Sequence, residues 1–159
     1  MGLQEQYVKY LNLSFRYLTI RNRSEKEIRD YLTKKNAAPE IIEKIVRFLT
    51  EKKFLNDETF ARSWILSRAR LKPKGKMLLQ IELRQKGIND DLIKKVLSEV
   101  QEEIPDELEQ AKSLIVRRME KVRGLPRQEI YQKVGGFLAR RGFSWDITKK
   151  AIDSYLLKE

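Results

Sequence analysis

The chain contains no cysteine and no histidine. The first absence removes disulfides, thiol nucleophiles and thiolate metal sites; the second removes imidazole ligands and the side chain most used for proton transfer near neutral pH. Most enzyme classes lose their usual tools, and no cofactor is expected. Only carboxylate chemistry with Mg²⁺ stays open, because hard cations need only oxygen ligands. Glycine and proline are scarce, at seven and four in 159 residues, which points away from disorder. No stretch approaches the roughly 20 apolar residues that span a bilayer. Met1-Gly-Leu-Gln-Glu-Gln6 has neither a basic flank leading into an apolar region nor a hydroxyl residue where an acylation signal needs one. The expectation is a cytoplasmic, monomeric, non-enzymatic protein without membrane contact.

What is present is charge and helical periodicity. Hydrophobic residues make up 41% and charged residues 36%, with a net charge of +11. That balance favours a polyanion or an acidic protein surface as partner, without choosing between them.

Apolar spacing is helical nearly everywhere, so the fold class is all-α. Tyr7, Leu11, Phe15 and Leu18 share one helical face. Ser24-Glu-Lys-Glu27 reads as a capping box opening a second helix with Ile28, Tyr31 and Leu32 inward, stopped at Asn36. Pro39 starts a third, with Ile42, Ile45, Val46 and Leu49 buried. Asn56-Asp-Glu58 caps a fourth, whose apolar side is marked by Phe60, Trp64 and Leu71. After Pro73 and Gly75, a fifth carries Leu78, Leu79, Ile81 and Leu83 to Gly87. Asn89-Asp-Asp91 caps a sixth. Pro105-Asp-Glu107 begins a seventh that closes at Gly124, Pro126 an eighth that closes at Gly142, and Ser144 caps a ninth.

Sliding the chain on itself exposes a threefold repeat. Leu32, Leu83 and Leu138 correspond, 51 and 55 residues apart. Ile28, Leu79 and Val134 stand four residues earlier; Asn36, Gly87 and Gly142 stand four later. Then follow Ala37, Ile88 and Phe143, the acids Glu40, Asp91 and Asp146, and apolar residues at plus nine and plus thirteen. The expected organisation is three tandem three-helix repeats, 1–55, 56–104 and 105–159, each with too little core to be very stable alone. Stacked bundles of this size predict an elongated, curved array reaching on the order of 60 Å, with one long face for a partner.

These residues resemble the RecX family, regulators of the RecA recombinase. The resemblance rests on Asn56-Asp-Glu-Thr-Phe-Ala-Arg-Ser-Trp-Ile-Leu-Ser-Arg68 followed by Gly75, on Ile81-Glu-Leu-Arg-Gln-Lys-Gly-Ile88, and on the triple repeat. The outer copies depart from it: Asn36 stands where the others have Gly, and the third copy lacks the Glu and Lys flanking Leu83. The resemblance implies a regulator that lies in the groove of the RecA filament on single-stranded DNA. It implies inhibition of ATP hydrolysis, strand exchange and co-protease action in recombination and the DNA-damage response. The alternative is a basic helical module that binds DNA or RNA without a recombinase.

Two basic clusters are the candidate contact sites. From Thr59 to Ile81 the chain has Arg62, Arg68, Arg70, Lys72, Lys74 and Lys76 and no acid. Arg84 and Lys86 follow, with Lys86 at helical spacing from Glu82. The cluster is either a footprint for phosphate or acidic protein, or a solvated surface. If it is the contact, reversing Arg68, Arg70 and Lys72 to Glu abolishes inhibition. A second cluster combines Lys112, Arg117, Arg118, Lys121, Arg123 and Arg127 with Arg140 and Arg141, spread over more than one helical face. Counted from residue 8, net charge falls along the copies from +6 to +4 to +2, the linker 101–107 being counted with the third. Phe60, Trp64 and Trp145 have the spacing of core residues more than of base-stacking platforms. Asp90 and Asp91 sit where a helix N-terminus favours acids, which is a simpler account of them than a metal site.

Overall fold

The computed structural model describes residues Met1–Lys158. Among them are nine helices and no strand: α1 (Leu3–Ile20), α2 (Glu25–Lys34), α3 (Pro39–Glu51), α4 (Asp57–Leu71), α5 (Lys76–Gln85), α6 (Asp90–Glu99), α7 (Glu107–Lys121), α8 (Arg127–Arg140) and α9 (Trp145–Leu156). By spatial proximity they form two compact units, one of residues Met1–Ser63 and Leu83–Ile93, the other of Trp64–Glu82 and the described residues from Lys94 onward. The helices α4, α5 and α6 contribute residues to both.

In the first unit, Ile28 and Leu32 of α2 and Ile45 and Leu49 of α3 are fully buried, with Tyr10 of α1 beside them and Tyr7, Leu11, Phe15 and Leu18 packed at the edge. In the second, Ala111, Ile115 and Met119 of α7 meet Val134 and Leu138 of α8 and Ala151 and Ile152 of α9. These are the positions that helical periodicity selects. Among the described residues, no helix is long and apolar enough to cross a membrane.

The repeat is visible hydrogen bond by hydrogen bond. The middle helix of each copy ends in a left-handed residue, Asn36 (φ 65°), Gly87 (φ 82°) and Gly142 (φ 86°). The next N–H then reaches back to the equivalent leucine carbonyl: Ala37 to Leu32 at 3.0 Å, Ile88 to Leu83 at 3.0 Å and Phe143 to Leu138 at 3.1 Å. This is the Schellman arrangement, which satisfies carbonyls that a helix end leaves orphaned. Those three leucines are 0% exposed.

One departure among the copies has a steric explanation. A Cβ on Gly87 would lie 2.7 Å from Cβ of Lys26 at the start of α2, and a Cβ on Gly142 would collide with Leu78 in the first turn of α5. Each glycine therefore meets two demands, a positive φ and a close approach to the middle helix of the copy before it. Asn36 of the first copy is exposed. Asn36 meets only the φ demand, which Asn tolerates.

A second recurring contact links the copies. The Asp57 carboxylate, at the first residue of α4, accepts from the Glu25 N–H at the first residue of α2, at 2.9 Å. The Glu107 carboxylate, at the first residue of α7, accepts in the same way from Lys76 at the first residue of α5, at 3.0 Å. In α2 this supplements the Ser24–Glu27 capping box. In α5 it replaces a cap, because Gly75 has no side chain: a Cβ there would collide with the Gly142 carbonyl, and the Gly75 N–H donates to Arg141 O at 2.7 Å.

Two sequence-based expectations about apolar residues, those for Leu71 and Trp145, are overturned. Leu71 is 75% exposed, and the buried residues of α4 are Phe60, Ala61 and Ile65. Leu71 is the last residue of α4. Ile81 is also exposed, facing away from the buried Leu79 and Leu83. Trp145, the first residue of α9, is 59% exposed, while the buried positions of that helix are Thr148, Ala151 and Ile152.

Candidate polyanion-binding surface

The middle basic cluster divides into a structural part and a free part. Glu82, the first acid after the acid-free run, lies half-buried in α5 and gathers three residues. It accepts from Trp64 Nε1–H at 2.9 Å, pairs with Lys74 Nζ and stands 3.5 Å from Arg68 Nε. The Arg68 guanidinium also lies over the Trp64 ring, 4.4 Å from its centroid. Burial disfavours the charged form of Glu82, but the hydrogen bonds from Lys74 and Trp64 and the Arg68 charge outweigh it and hold its carboxyl below the usual range. Arg68 and Lys74 therefore bind the chain to itself.

Arg70, Lys72 and Lys76 differ. All three are exposed, and none of their side-chain charges is paired with a carboxylate among the described residues. Arg62 is half-buried and engaged within the chain. Arg84 pairs with Asp90 at 2.6 Å and Lys86 with Glu27 at 2.8 Å. Glu27 is buried, and although burial opposes its charge, Arg21, Lys86 and the Ser24 N–H hold its carboxyl below the usual value. The structure thus scatters the sequence-level cluster, leaving Arg70, Lys72 and Lys76 as its outward charges.

The third copy does the reverse and brings separated cations together. Arg118 and Lys121 of α7 and Lys133 and Arg140 of α8 line one open groove with Gln132, above Val122 and Val134, and no acid lines it. Lys133 was not among the sequence candidates. Its helical phase on α8 relative to Arg140, seven residues or two turns apart, was the available signal. Lys112 pairs with Glu109 at 3.0 Å, and Arg127 stands 3.6 Å from Asp153. Arg117 and Arg123 are exposed outside this groove, Arg123 engaged within the chain. Arg141 lies 5.1 Å from the Phe137 ring.

Phe60 is core, 2% exposed, and Trp64 is tied to Glu82. Asp90 pairs with Arg84, Asp91 is exposed in the first turn of α6, and Asn89 caps that helix through the Leu92 N–H at 2.8 Å. Among the described residues, no group of three or more acids is placed to hold a metal ion.

Family models of RecX match the chain three times: its first three-helix domain over residues 11–49, its second over 56–97 and its third over 105–152. Regulatory protein RecX of Prosthecochloris aestuarii (strain DSM 271 / SK 413) is 34% identical over 148 residues, 93% of this chain and 94% of the relative. Its namesake from Bacillus subtilis (strain 168) is 34% identical over 149 residues, 94% of this chain and 56% of the relative. The chain spans about half the length of the Bacillus relatives it matches. The crystal structure of RecX from Lactobacillus salivarius has the same fold, with a TM-score of 0.84 at 23% identity over 98% of this chain and 99% of that one. A second crystal structure of regulatory protein RecX gives a TM-score of 0.80 at 27% identity, over 93% and 73%.

Proposed function

The chain belongs to the RecX family of regulatory proteins, and on that footing we propose that it binds the RecA recombinase filament assembled on single-stranded DNA. Binding restrains the filament's ATP hydrolysis, strand exchange and co-protease action. The observation that carries the reading is the outward group Arg70, Lys72 and Lys76 at the α4–α5 link. Its side-chain charges are not spent on carboxylates among the described residues, so they are available to acidic protein or phosphate.

The experiment is titration of the protein into RecA running DNA-dependent ATP hydrolysis. Wild-type protein lowers the rate, and the Arg70→Glu/Lys72→Glu/Lys76→Glu variant loses most of that effect while keeping its helical circular dichroism. Arg68 is left out of the reversal, although sequence reasoning selects it, because Arg68→Glu places a second carboxylate beside Glu82 and disturbs folding. Equal affinity for bare single strand and for filament refutes this reading and favours a nucleic-acid-binding module acting alone.

A further inference from the structure

Two neighbouring features of the third copy play no part in the contact placed on the α4–α5 link. One is the groove between α7 and α8. None of its four cations, Arg118, Lys121, Lys133 and Arg140, has a carboxylate partner among the described residues. Arg118 lies over Phe137, its Cζ 3.7 Å from the ring centroid, a contact that holds the guanidinium without using its N–H donors.

The other feature is Trp145. Its indole is 59% exposed at the start of α9, edge-on to Tyr131 with ring centroids 6.0 Å apart. Beside it, Gly135, Gly136 and Ala139 of α8 leave a shallow apolar slot, flanked by Arg127 and Gln128. The glycines keep it open: a Cβ on Gly135 would stand 3.4 Å from Trp145 Cζ3, and one on Gly136 would stand 3.3 Å from Arg140 Nη1. Gln132 lines both slot and groove, so the two adjoin across α8. Two acids beside the indole are already engaged, Asp153 by Lys149 at 2.7 Å and by the Tyr131 hydroxyl, and Asp146 by Lys150 at 3.0 Å.

A row of unpartnered cations next to an exposed aromatic face is the combination that holds a single strand, with charge following the backbone and the ring stacking on a base. A duplex supplies the phosphates but keeps its bases stacked on one another. An acidic helix supplies carboxylates but no flat π face for the indole. We propose that the α7–α8 groove and the Trp145 slot together form a binding site for single-stranded nucleic acid. Phosphates lie along Arg118, Lys121, Lys133 and Arg140, and one unstacked base lies against Trp145. The site is independent of the recombinase contact.

The test uses the whole chain with no recombinase present. In the Trp64→Phe variant Trp145 is the single tryptophan, and oligothymidylate of about twenty nucleotides is expected to quench its emission, with a blunt duplex of equal length quenching little. In the wild-type background, followed by anisotropy of a fluorescein-labelled strand, Trp145→Ala weakens binding about fivefold or more. Lys133→Ala/Arg140→Ala lowers the slope of log affinity against log salt by about 1.4. Circular dichroism stays unchanged in both. Strand binding indifferent to both variants, or quenching by duplex equal to that by single strand, overturns the proposal. So does a Trp145→Ala protein that keeps its oligonucleotide affinity while losing capture by the RecA filament, which makes the slot a protein-docking surface. Failure to inhibit ATP hydrolysis refutes only the recombinase reading.

Discussion

A carboxylate flanked by two cations and an indole N–H, as Glu82 is, cannot be removed without leaving several groups unpaired. Glu82→Ala is expected to cost about 1–3 kcal/mol of stability, from the unsatisfied Trp64, Lys74 and Arg68; urea denaturation measures it. The same carboxylate gives stability a pH dependence of known sign. Glu82 and Glu27 ionise more easily folded than unfolded. Their stabilisation is complete above the unfolded-state pKa of about 4.3 and is lost as pH falls through the lower folded-state values. Asp57 has the opposite sign: burial, reinforced by the Glu25 and Glu27 charges, raises its pKa despite the hydrogen bond from the Glu25 N–H. Its contribution is full below about 3.9 and is lost as pH rises through the raised folded value. Urea midpoints should therefore fall on acidification, and less steeply in Glu27→Gln/Glu82→Gln. Asp57→Asn, which keeps an oxygen acceptor for Glu25, raises the midpoint at neutral pH, whereas Asp57→Ala lowers it.

At the scale of elements, the turns that follow α7 and α8 separate backbone strain from steric fit. Gly124 and Gly142 share a positive φ, but a Cβ on Gly124 meets nothing within 4 Å, whereas one on Gly142 strikes the first turn of α5. Gly124→Ala should cost about 1 kcal/mol, the left-handed penalty alone. Gly142→Ala should cost at least twice as much in thermal unfolding, because backbone must move. The cap that α7 supplies to α5 is testable separately. Glu107→Ala leaves the Lys76 N–H without its acceptor and is expected to cost about 0.5–2 kcal/mol. Hydrogen exchange should quicken at Lys76–Leu79 and stay unchanged in α9.

For the whole molecule, the net charge of +11 and its division between engaged and free cations set the ionic-strength response. Binding to the RecA filament should weaken as salt rises. The Arg70→Glu/Lys72→Glu/Lys76→Glu variant should flatten that dependence, whereas Arg84→Gln, which removes a cation already paired with Asp90, should barely change it. Filament pull-down across a salt series reads both.

Helix positions, the threefold repeat and the caps at Ser24, Asn56, Asn89 and Ser144 were legible in the sequence, because each depends on residues within about two turns of one another. The reason for Asn36 in place of glycine was not legible, since it depends on whether another helix lies against that turn. Charge was the least legible property. The acid-free run from Arg62 to Lys76 read as one surface, yet Glu82 draws in two of its members, and the third copy, with the smallest net charge, gathers four cations from two helices into one groove. Trp145 read as core because it opens an amphipathic helix among other apolar residues, and it stands exposed beside glycines on a different helix. The sequence by itself determined the helices, their ends and their repetition, which are local; only the tertiary structure decided which charges remain free and which aromatic faces outward, because those depend on side chains that the chain brings together across distant segments.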